Sequence, residues 1–276
     1  MNSKQEHLCQ MMEQYAADDV MVAFSGGVDS ALLLKLACEA AKKTGKRVHA
    51  VTVHTMLHPA GELEAAEEEA KAMGAIHHVI QMDELRDAGI SENPPDRCYR
   101  CKRHLFLEIR KLAQENGISV VIEGTNEDDL HVYRPGIRAV RELQIKSPLA
   151  EAEMTKEDVR ALAGKYGLKV SSKPSMPCLA TRFPYGARLS YEKLKQVDQG
   201  EIFLRNLGYR NVRIRVYGDL IRIEIDSDEM RRFVDQKEEI ISYLKELGYL
   251  YITVDLEGFR SGSMDLQIDQ QKEGRK

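Results

Sequence analysis

The sequence predicts an α/β protein: a parallel sheet with helices on both faces, followed by a smaller C-terminal α+β domain. Short apolar runs, typical of buried parallel strands, alternate with amphipathic helical segments through the first half. A glycine-rich turn separates the first strand from its helix. A stretch rich in proline and glycine, residues 173–188, then ends the alternation. We therefore expect a first domain over residues 1–172 and a second over 173–276.

The first half begins with an amphipathic helix over 4–17 and an apolar strand over 20–24. The predicted elements that follow are a helix over 30–43, a strand over 47–54, a helix over 62–73, a strand over 76–80, a helix over 100–116 and a strand over 118–123. Strands separated by helices of this length pair in parallel, and such sheets bind ligands at the carboxyl ends of their strands. The loops after Phe24, Val53 and Glu123 are therefore expected to face one site.

The second half has a different pattern. A capping sequence at Thr155 begins a helix that ends near Gly167. The elements predicted beyond it are a helix over 191–206, strands over 212–217 and 220–226, a helix over 228–247 and a strand over 250–256. This order indicates a small α+β domain.

Composition excludes several classes of protein. The chain has 276 residues, 43% of them hydrophobic, and 40 Lys+Arg against 44 Asp+Glu, so a folded core is expected and disorder is not. Five cysteines do not indicate a disulfide scaffold, because they are few for this length and their number is uneven. No apolar run or N-terminal signal pattern indicates a membrane, so we expect a cytoplasmic protein. The net charge of −4 argues weakly against nucleic acid as a partner.

The strongest chemical signal is the sequence Ser25-Gly26-Gly27-Val28-Asp29-Ser30 between the first strand and its helix. Glycines there let the backbone approach an oxyanion, and the amides and dipole of the following helix favour negative charge. The loop lacks both the lysine of GxxxxGK[ST] and the spacing of GxGxxG. The pattern indicates a phosphate cradle; the alternative is an ordinary strand-to-helix turn.

Three cysteines form a second candidate site. Cys98 and Cys101 make a CxxC motif at the start of a predicted helix, and Cys178 lies in the loop rich in proline. Basic residues around the CxxC motif favour thiolates. Three thiolates suit a [4Fe-4S] cluster whose fourth iron is left open to hold a sulfide. The alternatives are single-cysteine sulfur chemistry at Cys178, a redox dithiol, a zinc site that includes His104, or unrelated core cysteines.

The sequence SGGVDS after the first strand resembles the PP-loop of the ATP pyrophosphatases, a family with an adenine nucleotide alpha hydrolase-like fold. In that family the loop holds the pyrophosphate of ATP, and the enzyme adenylates an oxygen of its substrate. The resemblance implies that Asp29 binds Mg²⁺. It also implies that the ATP-binding residues are Ser25, Gly26, Gly27, Asp29, Ser30 and Gly124.

Further motifs resemble the PP-loop sulfur transferases that make the nickel-pincer nucleotide of lactate racemase. These motifs are Glu123-Gly124-Thr125-Asn126 with Asp128, Tyr133-Arg134-Pro135-Gly136, Cys178 before Thr181-Arg182-Phe183-Pro184-Tyr185-Gly186, Arg213 with Arg215, and Gly258-Phe259-Arg260-Ser261-Gly262. That family uses ATP to convert the carboxylates of pyridinium-3,5-biscarboxylic acid mononucleotide to thiocarboxylates. Some members sacrifice the sulfur of one cysteine, whereas others carry three cysteines, which implies a cluster. This sequence resembles the second group.

A mononucleotide substrate requires cations for its phosphate. Arg213 and Arg215 are two residues apart on one strand, so they share a strand face, and Arg182 and Thr181 would join them from the loop. The alternative is a solvated strand face. By resemblance, Glu201 and Glu224 are candidate Mg²⁺ ligands. We also expect a sulfide or another sulfur donor as co-substrate, and a homo-oligomer.

Two other functions compete with this hypothesis. One is a PP-loop tRNA thiolase, a branch of which also combines the loop with a three-cysteine cluster; the acidic net charge argues against it. The other is a non-catalytic ATP-binding module whose cysteines sense iron or redox state.

Overall fold

The computed structural model describes residues 3–57, 61–132, 134–172 and 177–260. Residues 173–176 of the predicted linker, together with Tyr133, Ser261 and Gly262 of the motifs above, lie outside these ranges. The chain divides into two compact units. The first contains the described residues up to Ile90 and those from Asp96 to Ser172, and the second contains Ser91–Pro95 and the described residues from Pro177 onward.

The first unit is built on a parallel sheet. Its strands are β1 (Val20–Ala23), β2 (Val48–His54), β3 (Ile76–Gln81) and β4 (Val120–Ile122), in the order β3-β2-β1-β4. The central strand β1 pairs on one side with β2 and on the other with β4, so that Val20 lies opposite both Val48 and Val120. The chain proceeds from β1 to β3 in one direction and then returns to place β4 beyond β1. This reversal creates a topological switch point between β1 and β4.

Helices cover both faces of this sheet, as the sequence predicts. They are α1 (Ser3–Tyr15), α2 (Val28–Thr44), α3 (Glu62–Met73), α4 (Glu84–Asp87), α5 (Arg97–Glu115), α6 (Glu127–Leu130), α7 (Gly136–Glu142), α8 (Pro148–Glu151) and α9 (Lys156–Lys165), with a 3₁₀ turn at Lys169–Ser172. Val20 and Val22 point into a core shared with α1, α2 and α9, whereas Met21 points to the opposite face, against α5. Within the described ranges, no helix combines the length and apolar character needed to cross a membrane.

The second unit contains a smaller, mixed sheet. Its elements are a 3₁₀ turn (Leu179–Arg182), α10 (Tyr191–Asn206), β5 (Arg213–Tyr217), β6 (Leu220–Glu224), a 3₁₀ turn (Ser227–Glu229), α11 (Met230–Asp235), α12 (Lys237–Glu246) and β7 (Tyr251–Val254). Strand β6 lies between the other two, antiparallel to β5 and parallel to β7. The predicted α+β character of this half is therefore confirmed.

The structure departs from the predicted elements in three main ways. Helix α5 begins at Arg97 rather than Arg100, so both cysteines of the CxxC motif lie inside the helix. The single helix predicted over 228–247 is instead a 3₁₀ turn and two helices that meet at Gln236. Four short helices of the first unit are not predicted from the sequence: α4, α6, α7 and α8. Four to seven residues are too few to show the hydrophobic periodicity of a helix.

Gly258 provides a test of the backbone in the second unit. Its φ is 75°, and an added Cβ would lie 2.9 Å from the carbonyl oxygen of Ile225. Gly258→Ala should therefore lower the free energy of unfolding by about 2–4 kcal/mol, from left-handed strain plus a backbone clash. Gly218→Ala is the matched control, because Gly218 has a φ of 66° but open space around it; it should cost about 1 kcal/mol. Urea unfolding followed by circular dichroism measures both, and equal losses would contradict the clash.

Candidate active site

The turn between β1 and α2 presents backbone amides at the positive end of a long helix. Gly26 adopts a φ of 70°, which favours glycine, and Gly27 precedes the 17-residue α2 without a side-chain cap on the helix amides. The hydroxyl of Ser30 braces the turn: its Oγ accepts from the amide of Ser25 at 3.2 Å and donates to the carbonyl of Gly27 at 3.1 Å. This geometry suits a bound oxyanion.

The loop after β4 packs directly onto the start of α2. At Gly124, an added Cβ would lie 3.0 Å from the Cβ of Asp29 and 3.1 Å from the amide nitrogen of Ser30. A side chain at position 124 would therefore require the start of α2 to move by a few tenths of an ångström. The switch point between β1 and β4 thus brings the predicted residues of the first unit together: Ser25, Gly26, Gly27, Asp29, Ser30 and Gly124.

Asp29 receives a donor on each carboxylate oxygen. Asn126, which also caps α6, donates its amide to Oδ1 at 3.1 Å, and the ammonium of Lys156 contacts Oδ2. Lys156 is the first residue of α9 and is 127 positions away in sequence. The local sequence identifies Lys156 only as part of a helix start, and no local pattern indicates its contact with Asp29.

Glu123 is a buried carboxylate at the end of β4 that links the loop after β4 to α5 and to the turn before α8. It accepts hydrogen bonds from the Ser147 hydroxyl at 2.6 Å and the Thr125 amide at 2.9 Å, and it pairs with the ammonium of Lys102 at 3.3 Å. Burial alone would raise the pKa of Glu123, but Lys102 and the two hydrogen bonds hold this pKa below its ordinary value. Glu123 is therefore ionised at neutral pH.

The CxxC cysteines occupy the first turns of α5. Cys98 is exposed and Cys101 is half-buried, and their spacing of three places both on one helix face. Two of the neighbouring cations are paired with carboxylates: Arg100 with Asp96 at 2.9 Å, and Lys102 with Glu123. Gly136 of α7 packs against this turn, since an added Cβ would lie 2.7 Å from the Cδ of Lys102.

The remaining cysteines fall into two groups. Cys38 lies on the buried face of α2, where burial raises its pKa to about 11, and Cys9 is half-buried against the same core. Cys178 is half-buried in the second unit, immediately before the 3₁₀ turn. In the described part of the chain, no three histidine, cysteine, aspartate or glutamate side chains form a group that could hold a metal ion.

A buried ion pair holds the loop of Cys178. Arg182 is 1% exposed and Glu201 is fully buried, and the guanidinium donates through two nitrogens to the two carboxylate oxygens at 2.8 Å each. A third nitrogen of Arg182 donates to the carbonyls of Pro177 and Cys178, at 2.9 and 3.2 Å. Burial alone would raise the pKa of Glu201, but Arg182 keeps it below the ordinary value. The pair fixes the backbone that carries the Cys178 thiol.

Two further arginines on β5 are buried beside this pair. Arg215 donates to the carbonyl of Thr181 at 3.0 Å and pairs with the buried Glu224 at 2.7 Å. Arg213 stacks over the ring of Phe259, 5.1 Å from its centroid. Burial first, and then the neighbouring Arg182, lower the pKa of Arg213 to about 10. The second unit therefore gathers the predicted residues Thr181, Arg182, Arg213, Arg215, Glu201 and Glu224 around a concentration of positive charge.

Both predicted magnesium ligands of this unit are engaged by arginine. Glu201 also accepts from the amide of Ile214 at 3.0 Å, and Glu224 accepts from Arg222 at 3.0 Å in addition to Arg215. These arginine partners cannot be predicted from the sequence, because they are distant from the glutamates along the chain. Their carboxylates act within the described structure as anchors for buried cations.

Comparison with known proteins agrees with this architecture. Residues 1–133 match the family described as PP-loop domain. An uncharacterized protein of Synechocystis sp. is 39% identical over 96% of this chain and 98% of its own length. The pyridinium-3,5-bisthiocarboxylic acid mononucleotide synthase of Lactiplantibacillus plantarum is 37% identical over 89% of this chain and 88% of that protein. A tRNA-specific 2-thiouridylase of Jannaschia sp. is 27% identical over 66% of this chain and 58% of that protein. With a glycine-rich loop at the switch point of a parallel sheet and a relative matched over 88% of that protein, the chain belongs to the PP-loop ATP pyrophosphatases and, within them, to the family of the pyridinium-3,5-bisthiocarboxylic acid mononucleotide synthase.

Proposed function

We propose that this protein is an ATP-dependent sulfur transferase that converts the carboxylates of pyridinium-3,5-biscarboxylic acid mononucleotide to thiocarboxylates. The observation that carries the proposal is the 37% identity to the synthase of that name over 89% of this chain. One feature of each unit supports the proposal: the loop before α2, which presents backbone amides, in the first unit, and the buried arginine cluster in the second.

The first unit would activate the substrate. Its loop residues Ser25, Gly26, Gly27 and Ser30, with Gly124 packed against them, would hold the pyrophosphate of ATP, and Asp29 would bind its Mg²⁺. A substrate carboxylate oxygen then attacks the α-phosphorus, the bond to the β-phosphate oxygen breaks, and pyrophosphate leaves. Sulfide attacks the resulting acyl carbon and AMP departs. This route replaces a poor leaving group, the carboxylate oxygen, with a good one.

The second unit would bind the substrate phosphate through Arg213, Arg215 and the hydroxyl of Thr181. The lowered pKa of Arg213 supports this assignment, since burial and the neighbouring Arg182 disfavour its charged form and an anionic ligand would stabilise it. Arg182 belongs to the same cluster, and its contacts with Glu201 and the Cys178 backbone favour a positioning role. The assignment of Mg²⁺ to Glu201 and Glu224 stays a prediction.

For the sulfur, we propose a [4Fe-4S] cluster held by Cys98, Cys101 and Cys178. The donor set fits in its chemistry, because all three residues carry a thiol and all are at least partly exposed. A cluster held by these three cysteines would supply sulfide for the activated substrate. The alternative is that Cys178 gives up its own sulfur. In either case Arg182 would hold the Cys178 backbone in place.

A tRNA thiolase is the second candidate, favoured by the 27% identity to the 2-thiouridylase. The two functions are separated by supplying anaerobically reconstituted protein with ATP, sulfide and either the pyridinium mononucleotide or tRNA. We expect pyrophosphate release and a thiocarboxylate product, identified by mass spectrometry, with the mononucleotide alone. Tight, salt-dependent tRNA binding together with no pyrophosphate release from the mononucleotide would overturn the proposal.

The cluster is tested directly by anaerobic iron and sulfide analysis. Reconstituted protein should show the broad visible absorbance of iron–sulfur proteins, and Cys98→Ala should abolish it because the cluster loses one of its three ligands. Cys38→Ala is the control, since Cys38 is buried in the core; it should keep the iron content. An active protein without iron would refute the cluster and favour sacrifice of Cys178.

The phosphate assignment predicts a selective loss of substrate affinity. Arg213→Met should raise KM for the mononucleotide about tenfold or more, since a charge-assisted contact is lost. KM for the dephosphorylated nucleoside should remain unchanged. Arg210→Met is the matched control, because Arg210 is an exposed arginine in the same unit. Equal effects of Arg213→Met on both substrates would contradict the assignment.

A further inference from the structure

Phe259 is an aromatic residue near the end of the described chain that contacts a buried arginine of β5. The guanidinium carbon of Arg213 lies 5.1 Å from the centroid of the Phe259 ring. This distance is within the range of a cation–π interaction, in which the face of the ring carries partial negative charge. Because Arg213 is buried and Phe259 is half-buried, the contact is partly shielded from water, which strengthens it.

The backbone that carries the Phe259 ring is fixed by the end of the smaller sheet. The amide of Asp255 donates to the carbonyl of Ile223 at 2.9 Å, and the amide of Phe259 donates to the carbonyl of Ile225 at 2.7 Å. Between these two bonds, Gly258 takes its left-handed conformation against the Ile225 backbone. The segment after β7 is thus tied twice to the end of β6, the strand that pairs with β5.

The arginines of this cluster differ in the groups that hold them. Arg182 and Arg215 are each paired with a buried glutamate, so a carboxylate offsets the charge of each guanidinium. The contact between Arg213 and Phe259 adds no formal negative charge. An aromatic face therefore holds this cation in place without neutralising it, which suits a guanidinium that binds an anion.

The neighbouring cations make such a contact necessary. Burial contributes most to the lowered pKa of Arg213, and three neighbouring arginines lower it further, whereas Glu201 acts to raise it. These arginines are Arg182, Arg215 and Arg205. Repulsion from them disfavours a position of the Arg213 guanidinium within the cluster unless other contacts hold it there. Phe259 provides a contact of this kind.

We propose that Phe259 is a positioning residue for the substrate phosphate, because its ring holds the Arg213 guanidinium in the place where the phosphate binds. The inference rests on the proposed function and assigns a further residue to the same phosphate site. A guanidinium that is already held in place loses less conformational freedom when the anion arrives. The ring thus raises the affinity for ligands that carry the phosphate without touching the phosphate itself.

The test is calorimetric titration of the full chain, without ATP, with the pyridinium-3,5-biscarboxylic acid mononucleotide and with its dephosphorylated nucleoside. Phe259→Leu keeps an apolar side chain but removes the aromatic face. It should weaken binding of the mononucleotide about three- to tenfold, the loss expected for one cation–π contact, and leave binding of the nucleoside unchanged. Phe259→Tyr keeps the ring and should restore the affinity. A purely structural role of Phe259 would weaken both ligands alike.

Phe203→Leu is the matched control, because Phe203 is another half-buried phenylalanine of the second unit, and its ring stacks on Tyr243. It should leave both titrations unchanged. Should Phe259→Leu not fold, Phe259→Met carries the same comparison, with folding checked by circular dichroism.

Three results would overturn the role of Phe259: unchanged mononucleotide binding by Phe259→Leu, an equal loss for both ligands, or no recovery with Phe259→Tyr. In each of these cases the proposed phosphate site still stands if Arg213→Met loses affinity for the mononucleotide alone in the same titrations. If the unaltered protein binds no mononucleotide, the inference and the proposed function both fall.

Discussion

The contact between Gly124 and the first turn of α2 is the constraint on which the site of the first unit depends. A Cβ added at position 124 would meet the Cβ of Asp29 at 3.0 Å, so glycine fits there without displacing the start of α2. This close approach lets the loop after β4 deliver Asn126 to Asp29, and it keeps the loop beside the helix amides. Glu123, one residue earlier, is tied to Lys102 on the CxxC helix. The start of α2 and the CxxC helix α5 are therefore both in contact with the segment Glu123–Gly124.

The second unit is organised by buried charge rather than by glycine. Removing one partner of a pair such as Arg182 and Glu201 leaves an uncompensated charge in the core, which costs several kcal/mol. Such pairs contribute little to net stability compared with apolar packing, but they fix geometry. Here the geometry concerns the Thr181 and Cys178 backbone, which accept hydrogen bonds from Arg215 and Arg182.

Features determined by local sequence were predictable. The helices Glu62–Met73 and Tyr191–Asn206 follow their periodicity to the residue, and the loop at Ser25–Ser30 was recognisable because its glycines and its flanking strand and helix are contiguous. Features that depend on distant partners were not. Nothing near Lys156 indicates Asp29, and nothing near Glu201 indicates that Arg182 is its partner. The start of α5 was also misplaced, because the Asp96–Arg100 pair that accompanies it offers no apolar periodicity.

The buried Arg213 also bears on the stability of the second unit. Burial lowers the pKa of the Arg213 guanidinium to about 10. Keeping this group charged in the folded protein therefore reduces the free energy of unfolding, and an anion bound beside it would offset that loss. A ligand that binds the folded state alone stabilises it in proportion to the logarithm of its concentration. Binding of the proposed phosphate ligand beside Arg213 would therefore stabilise the folded protein, and its melting temperature would rise with the concentration of that ligand.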